Sequence, residues 1–314
     1  MNSYKNKQVL VTGGAGFIGA HLVEKLVDLG AQVTILDNFS TGNLANLEAV
    51  KAQIKIITGD ICDPELAQIL NLTTEDFDFI FHLAAATSVP ESFENPQKYH
   101  NINLTGTLNL LKLFAHQLNT LEIANPAHKK PKFIFSSSSA VYGEKSTICT
   151  EQDLCAPTSI YGLNKLMGEQ YCQIYSQLYN LPTICLRYFN VYGPRQNPHG
   201  SYAAVYTKFA YNLAHNLPIT IYGDGTQARD FVTVEQIVTA NLQAGLLDYT
   251  HLNGQAINIG SGAPIKIIDL LTQLKNNYPE YTSEIKFAPA RVGDITLSCA
   301  NISKAKRLFT SANL

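Results

Sequence analysis

Two rhythms of apolar and polar positions alternate along this chain. Gln8-Val-Leu-Val-Thr12 is an apolar run of strand length; Leu22, Val23, Leu26 and Val27 then recur at helical spacing, up to Gly30 placed as a C-terminal cap. The exchange repeats. Strand-like runs stand at Gln32–Leu36, Ile54–Thr58, Phe77–Leu83 and Lys132–Ser136. Helical stretches stand at Pro64–Leu70, at Asn103–Leu118 with a stripe of Leu104, Leu108, Leu111 and Phe114, and at Ser159–Leu178. This alternation predicts an α/β fold, a parallel sheet with helices on both faces and ligands at the carboxyl ends of its strands.

The junction of the first strand and helix carries Gly13-Gly-Ala-Gly16-Phe17-Ile18-Gly19. Gly13 permits a tight turn, Gly16 lets the backbone approach a pyrophosphate, and Gly19 lets helix and strand pack closely. The helix start, with Phe17 and Ile18, offers unpaired N–H groups to phosphates. The second strand ends at Asp37, near the spacing of a ribose-binding acid. Its carboxylate would repel a 2′-phosphate, and no arginine follows in Asn38-Phe-Ser40-Thr41-Gly42, so the expected cofactor is NAD and not NADP. Asp60 and Ile61 end the third strand beside the adenine position. Leu83, Ala84 and Ala85 follow the fourth, where small residues let a flat ring or a diphosphate lie against the backbone. His82, in an apolar run, reads as a packed core histidine.

Composition narrows the partners. The 314 residues are 46% hydrophobic and 15% charged, enough for a sizeable core, and the net charge of -2 gives no electrostatic case for a nucleic-acid partner. The chain runs straight from Met1 into a strand-like segment and has no run of 18 apolar residues, so a cytoplasmic protein without a membrane span is expected. Six cysteines without a CxxC pair and eight histidines without HxxxH or HExxH spacing predict free thiols and no metal site.

The chemistry begins after the fifth strand. Ser136-Ser-Ser138-Ser139-Ala140-Val141-Tyr142-Gly143 lies on the ligand side, where a hydroxyl could relay a proton from a reacting alcohol. Tyr161 and Lys165, four apart, share one face of the next helix. An ammonium near a phenol lowers the phenol's pKa and lets it act as a base near neutral pH.

At this point the chain resembles the NAD-dependent sugar-nucleotide epimerases and dehydratases, extended short-chain dehydrogenases. The motifs are Thr12 to Gly19, His82-Leu-Ala-Ala85, Asn103-x-x-Gly106-Thr107, Ser136 to Gly143, Tyr161-x-x-x-Lys165, Leu186-Arg-Tyr-Phe-Asn190-Val-Tyr-Gly193, Arg229-Asp-Phe-Val232, Asn258-Ile-Gly260 and Arg291-x-Gly-Asp294. The resemblance implies a Rossmann-type, doubly wound NAD domain over residues 1–189, with a return segment near 226–258, and a smaller substrate lobe over 190–314. It implies that Tyr161 is the base, Lys165 holds the nicotinamide ribose and Ser138 shuttles the substrate proton. Asn103, Ser136 and Tyr188 would complete the cofactor site. Asn190 would bind the sugar or diphosphate, Arg229 and Arg291 would clamp the diphosphate, and Tyr222 and Val205 would hold the base. Thr87, Ala204, Thr220 and Asp294 would line the same substrate site. Each arginine precedes or nears an acid that could orient it. Helices 98–118 and 159–178 would pair in a homodimer, and a closing helical segment would follow Ser303–Leu308, where this sequence ends at Leu314.

Dehydratases of this family carry an Asp-Glu pair after the hydroxyl residue and decarboxylases a Glu; this chain has Ser139-Ala140. Reversible oxidation at C4 is then the expected reaction, making a UDP-sugar 4-epimerase. Ser298, four after Asp294, matches the family's pocket-size position, where a small residue admits an N-acetyl group. UDP-N-acetylglucosamine/galactosamine is the expected substrate pair, with UDP-glucose/galactose beside it. UDP-glucuronate 4-epimerase is the alternative enzyme, and a non-catalytic NAD-binding sensor the alternative class.

Overall fold

The computed structural model describes residues 2–70, 77–124, 129–198, 204–290 and 294–309. Its first half alternates strand and helix: β1 (Gln8–Thr12), α1 (Phe17–Asp28), β2 (Gln32–Asp37), β3 (Lys55–Thr58), α2 (Leu66–Ile69) and β4 (Phe79–His82). Short helices α3 (Val89–Glu94) and α4 (Pro96–Tyr99) precede α5 (Gly106–Ala124), β5 (Lys132–Ser138), α6 (Ile160–Tyr179) and β6 (Thr183–Tyr188). The chain then leaves the sheet for a smaller lobe, with β7 (Asn190–Tyr192), α7 (Val205–Ala214), β8 (Ile219–Tyr222) and β9 (Ala228–Thr233). It returns through α8 (Val234–Leu246) and β10 (Asn253–Ile259), and finishes with β11 (Pro264–Lys266), α9 (Ile267–Lys275), β12 (Ile285–Ala288), β13 (Leu297–Ser298) and α10 (Ser303–Leu308).

Seven strands form one parallel sheet in the order β10-β6-β5-β4-β1-β2-β3. The fold is therefore the α/β fold with a parallel sheet that the alternation predicts, in the Rossmann-type form that the resemblance implies. Strands covered on both faces read as continuous apolar runs, and β1, β2, β4 and β6 are buried almost end to end. One core layer packs Leu22, Val23 and Leu26 of α1 and Ile237 and Ala244 of α8 on the sheet. The opposite layer packs Leu110, Leu111 and Phe114 of α5 and Cys172 of α6. The lobe has its own core, with Phe209, Ile219, Ile221 and Leu271 among its members.

Strand order reverses between β1 and β4, which opens the ligand crevice at their carboxyl ends. Beside it the helix expected from Asn103 begins differently: His100–Thr105 is a π-helical turn and α5 starts at Gly106. The wider turn is coupled to Asn103, whose side chain accepts from Ala86 N–H and donates to Ala86 O, both at 2.8 Å. A side chain tied to a neighbouring loop bends the helix away from regular periodicity, as π-turns near functional sites often do.

Candidate active site

The dinucleotide end is built by glycine geometry. Gly13 has φ +70°, and a Cβ there would lie 2.7 Å from Ala84 N; a Cβ on Gly19 would lie 2.1 Å from Gly13 O. Strand, turn and helix therefore approach as only glycines allow. Gly16 is the N-cap of α1 and has no side-chain bond, so the first turn, with Phe17 and Ile18, keeps its N–H groups for an anion. Asp37 is buried at the end of β2; its Oδ2 accepts from Ala15 N–H at 2.9 Å and its Oδ1 from Phe39 N–H at 2.8 Å. Gly42 lies against the same carboxylate, 2.9 Å from a Cβ built on it. The Asn38 amide donates to Asp60 at 2.8 Å and accepts from Ser40 N–H at 3.0 Å, which draws the loop through Thr41 around Asp37. These residues fit an adenosine diphosphate ribosyl group.

His82 sets the floor below Leu83, Ala84 and Ala85. Thr107 Oγ1 donates to Asn103 O at 2.7 Å, so it must accept from His82 Nε2–H at 2.9 Å. His82 Nδ1 is left to accept from Thr12 Oγ1 at 2.7 Å, and Thr12 Oγ1 accepts from Ala84 N–H at 3.3 Å. Burial, with the nearby Lys165 ammonium, lowers the imidazole pKa to about 3, so the ring stays neutral. It is a structural bridge from β1 to α5, as its apolar surroundings predict.

The side chains expected to react meet where β5 ends. Ser138 caps the short turn Ser139–Tyr142, accepting from Ala140 N–H at 3.2 Å, and its hydroxyl lies near enough to the Tyr161 phenol to lower that phenol's pKa. Ser159 caps α6 and accepts from Gly162 N–H at 3.0 Å, which starts the helix with Tyr161 in its first turn. Gly162 is required there, because a Cβ would lie 2.5 Å from Ala140 O. Lys165 Nζ donates to Ser136 O at 2.8 Å and stands 6.0 Å from the centre of the Tyr161 ring. Tyr188, on β6, receives Ser136 Oγ–H at 3.1 Å and donates to Asn241 at 2.9 Å.

One expectation is corrected here. The pairing with Lys165 was expected to lower the Tyr161 pKa; instead burial pushes the phenol up, and the Ser138 hydroxyl only partly offsets it. Burial lowers Lys165 to about 8, against smaller raising effects of Cys172 and Glu169. Two neighbours that both lose hydration each favour their neutral form, and helical spacing reveals nothing about hydration.

The residues expected at the substrate end line a cleft of about 260 Å³: Asn190, Val205, Thr220, Tyr222, Arg229 and Asp294. Six expected residues thus converge from β7, α7, β8, β9 and the segment before β13. Lys208 and Gln227 also line it. Lys208 could have been found from its place one turn after Val205 on the same helix face. Ala204 caps α7, Ser298 is buried on β13 beside Arg229 in register, and Thr87 is exposed after β4. Arg291 lies outside the described residues.

The orientation of Arg229 is a second correction. Its chain neighbour Asp230 turns away and accepts from Ser261 N–H at 2.7 Å, Ser261 Oγ–H at 2.6 Å, Gly262 N–H at 3.0 Å and Ala300 N–H at 3.0 Å. Asp294 holds the guanidinium instead, with Ala228 O accepting from it at 2.9 Å. Successive side chains on a strand point to opposite faces, so Arg229 and Asp230 cannot meet on β9.

A carboxylate-guanidinium pair that no local pattern in the sequence marks lies beside Lys165. Glu169, one turn past Lys165 on α6, is gripped by Arg187 of β6 through Nε at 2.9 Å and Nη2 at 2.7 Å. Among the described residues no cluster of His, Cys, Asp and Glu could hold a metal ion, and no helix is long and apolar enough to cross a membrane.

Comparison with known proteins agrees with this architecture. The sequence model of the NAD dependent epimerase/dehydratase family matches residues 9–260. A putative UDP-glucose 4-epimerase of Methanocaldococcus jannaschii is 35% identical over 302 residues, covering 96% of this chain and 92% of its own. The structure of a UDP-N-acetylglucosamine 4-epimerase from Methanobrevibacter ruminantium, in complex with UDP-N-acetylmuramic acid, superposes with a TM-score of 0.87 at 37% identity, covering 98% and 94% of the two chains. A UDP-glucuronic acid 4-epimerase from Bacillus cereus, in complex with UDP-glucuronic acid and NAD, gives 0.84 at 32% identity, covering 98% and 94%. With its glycine turn, its Ser-Tyr-Lys group and a match over most of its length, the chain belongs to the NAD-dependent epimerase/dehydratase family.

Proposed function

We propose that this enzyme, an NAD-dependent nucleotide-sugar 4-epimerase, interconverts UDP-N-acetylglucosamine and UDP-N-acetylgalactosamine, with UDP-glucose and UDP-galactose as further substrates. The observation that carries this reading is the small, buried Ser298, in register with Arg229 on the lobe side of the site. A tyrosine in its place would fill the room an N-acetyl group needs.

Tyr161 takes the proton of the C4 hydroxyl, and Ser138, whose hydroxyl lowers the phenol's pKa, relays it and shares the developing charge. Lys165 holds the nicotinamide ribose and keeps a positive charge beneath the phenol. NAD, held by the glycine turn, Asp37 and Lys165, would supply a hydride acceptor at C4 and give the hydride back to the opposite face of the sugar. Asn190, Tyr222 and Arg229 hold the nucleotide end while the sugar turns. The turn after Ser138 offers Ser139 and Ala140, and Glu144 beyond it accepts from Thr296 N–H at 3.0 Å. With no acid beside the hydroxyl, water elimination has no proton donor and reversible oxidation remains.

The test is incubation of the purified enzyme with each UDP-sugar and separation of products by chromatography. Conversion of UDP-N-acetylglucosamine to its C4 epimer is expected; conversion of UDP-glucuronate alone would refute the assignment. Ser298→Tyr should abolish turnover of the N-acetylated pair and keep that of UDP-glucose. The homodimer is part of the same proposal. Leu163, Ile174 and Leu178 are 44%, 43% and 70% exposed along one face of α6, an apolar stripe suited to a second copy. Light scattering should give twice the chain mass, and Ile174→Glu should halve it.

A further inference from the structure

Lys165 and Glu169 are neighbours one turn apart on α6, where a lysine and a glutamate at i and i+4 would ordinarily pair. Here they do not. Lys165 Nζ donates to Ser136 O at 2.8 Å, over the face of Phe135 at 5.0 Å from its ring centre. Glu169 Oε1 accepts from Arg187 Nε at 2.9 Å and from Ser137 Oγ at 2.5 Å, and its Oε2 accepts from Arg187 Nη2 at 2.7 Å. The Arg187 and Glu169 side chains are 6% and 7% exposed. Arg187 is itself fixed: Nη1 donates to Tyr142 OH at 2.8 Å, and Tyr142 OH donates to Asn258 Oδ1 at 2.7 Å. Asn258 in turn donates to Cys149 O at 3.0 Å. The line of bonds crosses β5, α6, β6 and β10 directly beneath the reacting groups.

We propose that Arg187 is a positioning residue that grips Glu169 from the sheet side, keeps that carboxylate from pairing with Lys165, and so leaves the ammonium at Ser136 O, where it faces the reacting tyrosine. The pair is buried and two-pronged, and what Glu169 still exerts on Lys165 is smaller than the lowering by burial. Removing Arg187 alone would leave a buried carboxylate one helical turn from Lys165, on which it already acts. The other titratable groups around Lys165 are Tyr161 and Cys172 on its own helix, the neutral His82 on β4, and Tyr188 on β6 beside Ser136. His82 is neutral, and burial raises both tyrosines, so these three supply no competing full charge near neutral pH.

This rests on the reading of Lys165 as part of the reacting group, and the test separates the two. Lysine labelled with 13C at Cε is followed by NMR against pH, with the Lys165 signal assigned by its loss in Lys165→Arg. In the native protein Lys165 should titrate near 8. Arg187→Gln should raise that midpoint by about one unit, a tenfold change in proton affinity, and lower kcat at least about tenfold. Arg187→Lys, which keeps the charge but not the two-pronged grip, should shift it the same way by less. The double variant Arg187→Gln, Glu169→Gln removes both charges and should return the midpoint and most of kcat. Unshifted midpoints in both single variants would overturn the proposal, even with activity lost, because a merely structural role would leave the titration alone. So would a double variant shifted as far as Arg187→Gln. If Arg187→Gln fails to fold, an unshifted midpoint in Arg187→Lys, or a raised one in the double variant, overturns the proposal in its place. Full turnover in Lys165→Ala would instead refute the role of Lys165, whatever its titration.

Discussion

Tyr161 stands in surroundings that raise its pKa, and Ser138 is the side chain that opposes the rise. A base works only when deprotonated, so the acidic limb of kcat/KM follows this pKa. Ser138→Ala should move that limb to higher pH and lower kcat more than it changes KM, read from pH profiles with the native substrate. Tyr161→Phe removes the proposed base and should cost about 10²–10⁴ in kcat, with little change in thermal stability. His82 supplies a separate pH dependence. Its pKa falls from 6.5 to about 3 on folding, so the unfolded chain binds the proton that the folded chain excludes. The stability it contributes is present above about 6.5 and is lost as pH falls toward 3, on the order of a few kcal/mol in total. Denaturant titrations between these values should show the loss, and a His82→Gln variant should have a flatter slope.

At the level of elements, β9 carries Arg229 toward the cleft and Asp230 away from it. The four donors on Asp230 tie the Gly260–Gly262 turn to Ala300, so Asp230→Asn should destabilise the fold by about 2–4 kcal/mol in chemical denaturation, through donors left unpaired. Asp294 occupies Arg229 in this structure, so Asp294→Asn should change affinity for UDP far more than for uridine, measured by calorimetry. Local elements were legible from the chain. The β1 turn into α1, the end of β2 at Asp37 and the serine turn after β5 each depend on residues within a few positions of one another. What the sequence hid depends on burial or on distant partners. Helical spacing pairs Lys165 with Tyr161 and equally with Glu169; only the arrival of Arg187 from β6 decides between them. Adjacency likewise suggests Arg229 with Asp230, which the strand pleat forbids.

For the whole molecule, the parallel sheet followed from repeated alternation of strand and helix. The lobe did not, because β8 pairs with β12 and β9 with β7, β11 and β13, partners far along the chain with weak patterns of their own. The same non-local pairing brings β10 home beside β6 after the chain has made much of the lobe. A ribosome must therefore extend the nascent chain to Ile259 before the sheet has its last strand, and until then β6 is an uncovered edge of apolar residues. Such late closure gives high contact order and a slow, aggregation-exposed interval. Chains truncated before Asn253 should accumulate as aggregates in ribosome-release or refolding assays, whereas chains ending after Ile259 should yield more soluble protein. The excursion that builds the lobe and its cleft thus sets the order in which this protein can be completed.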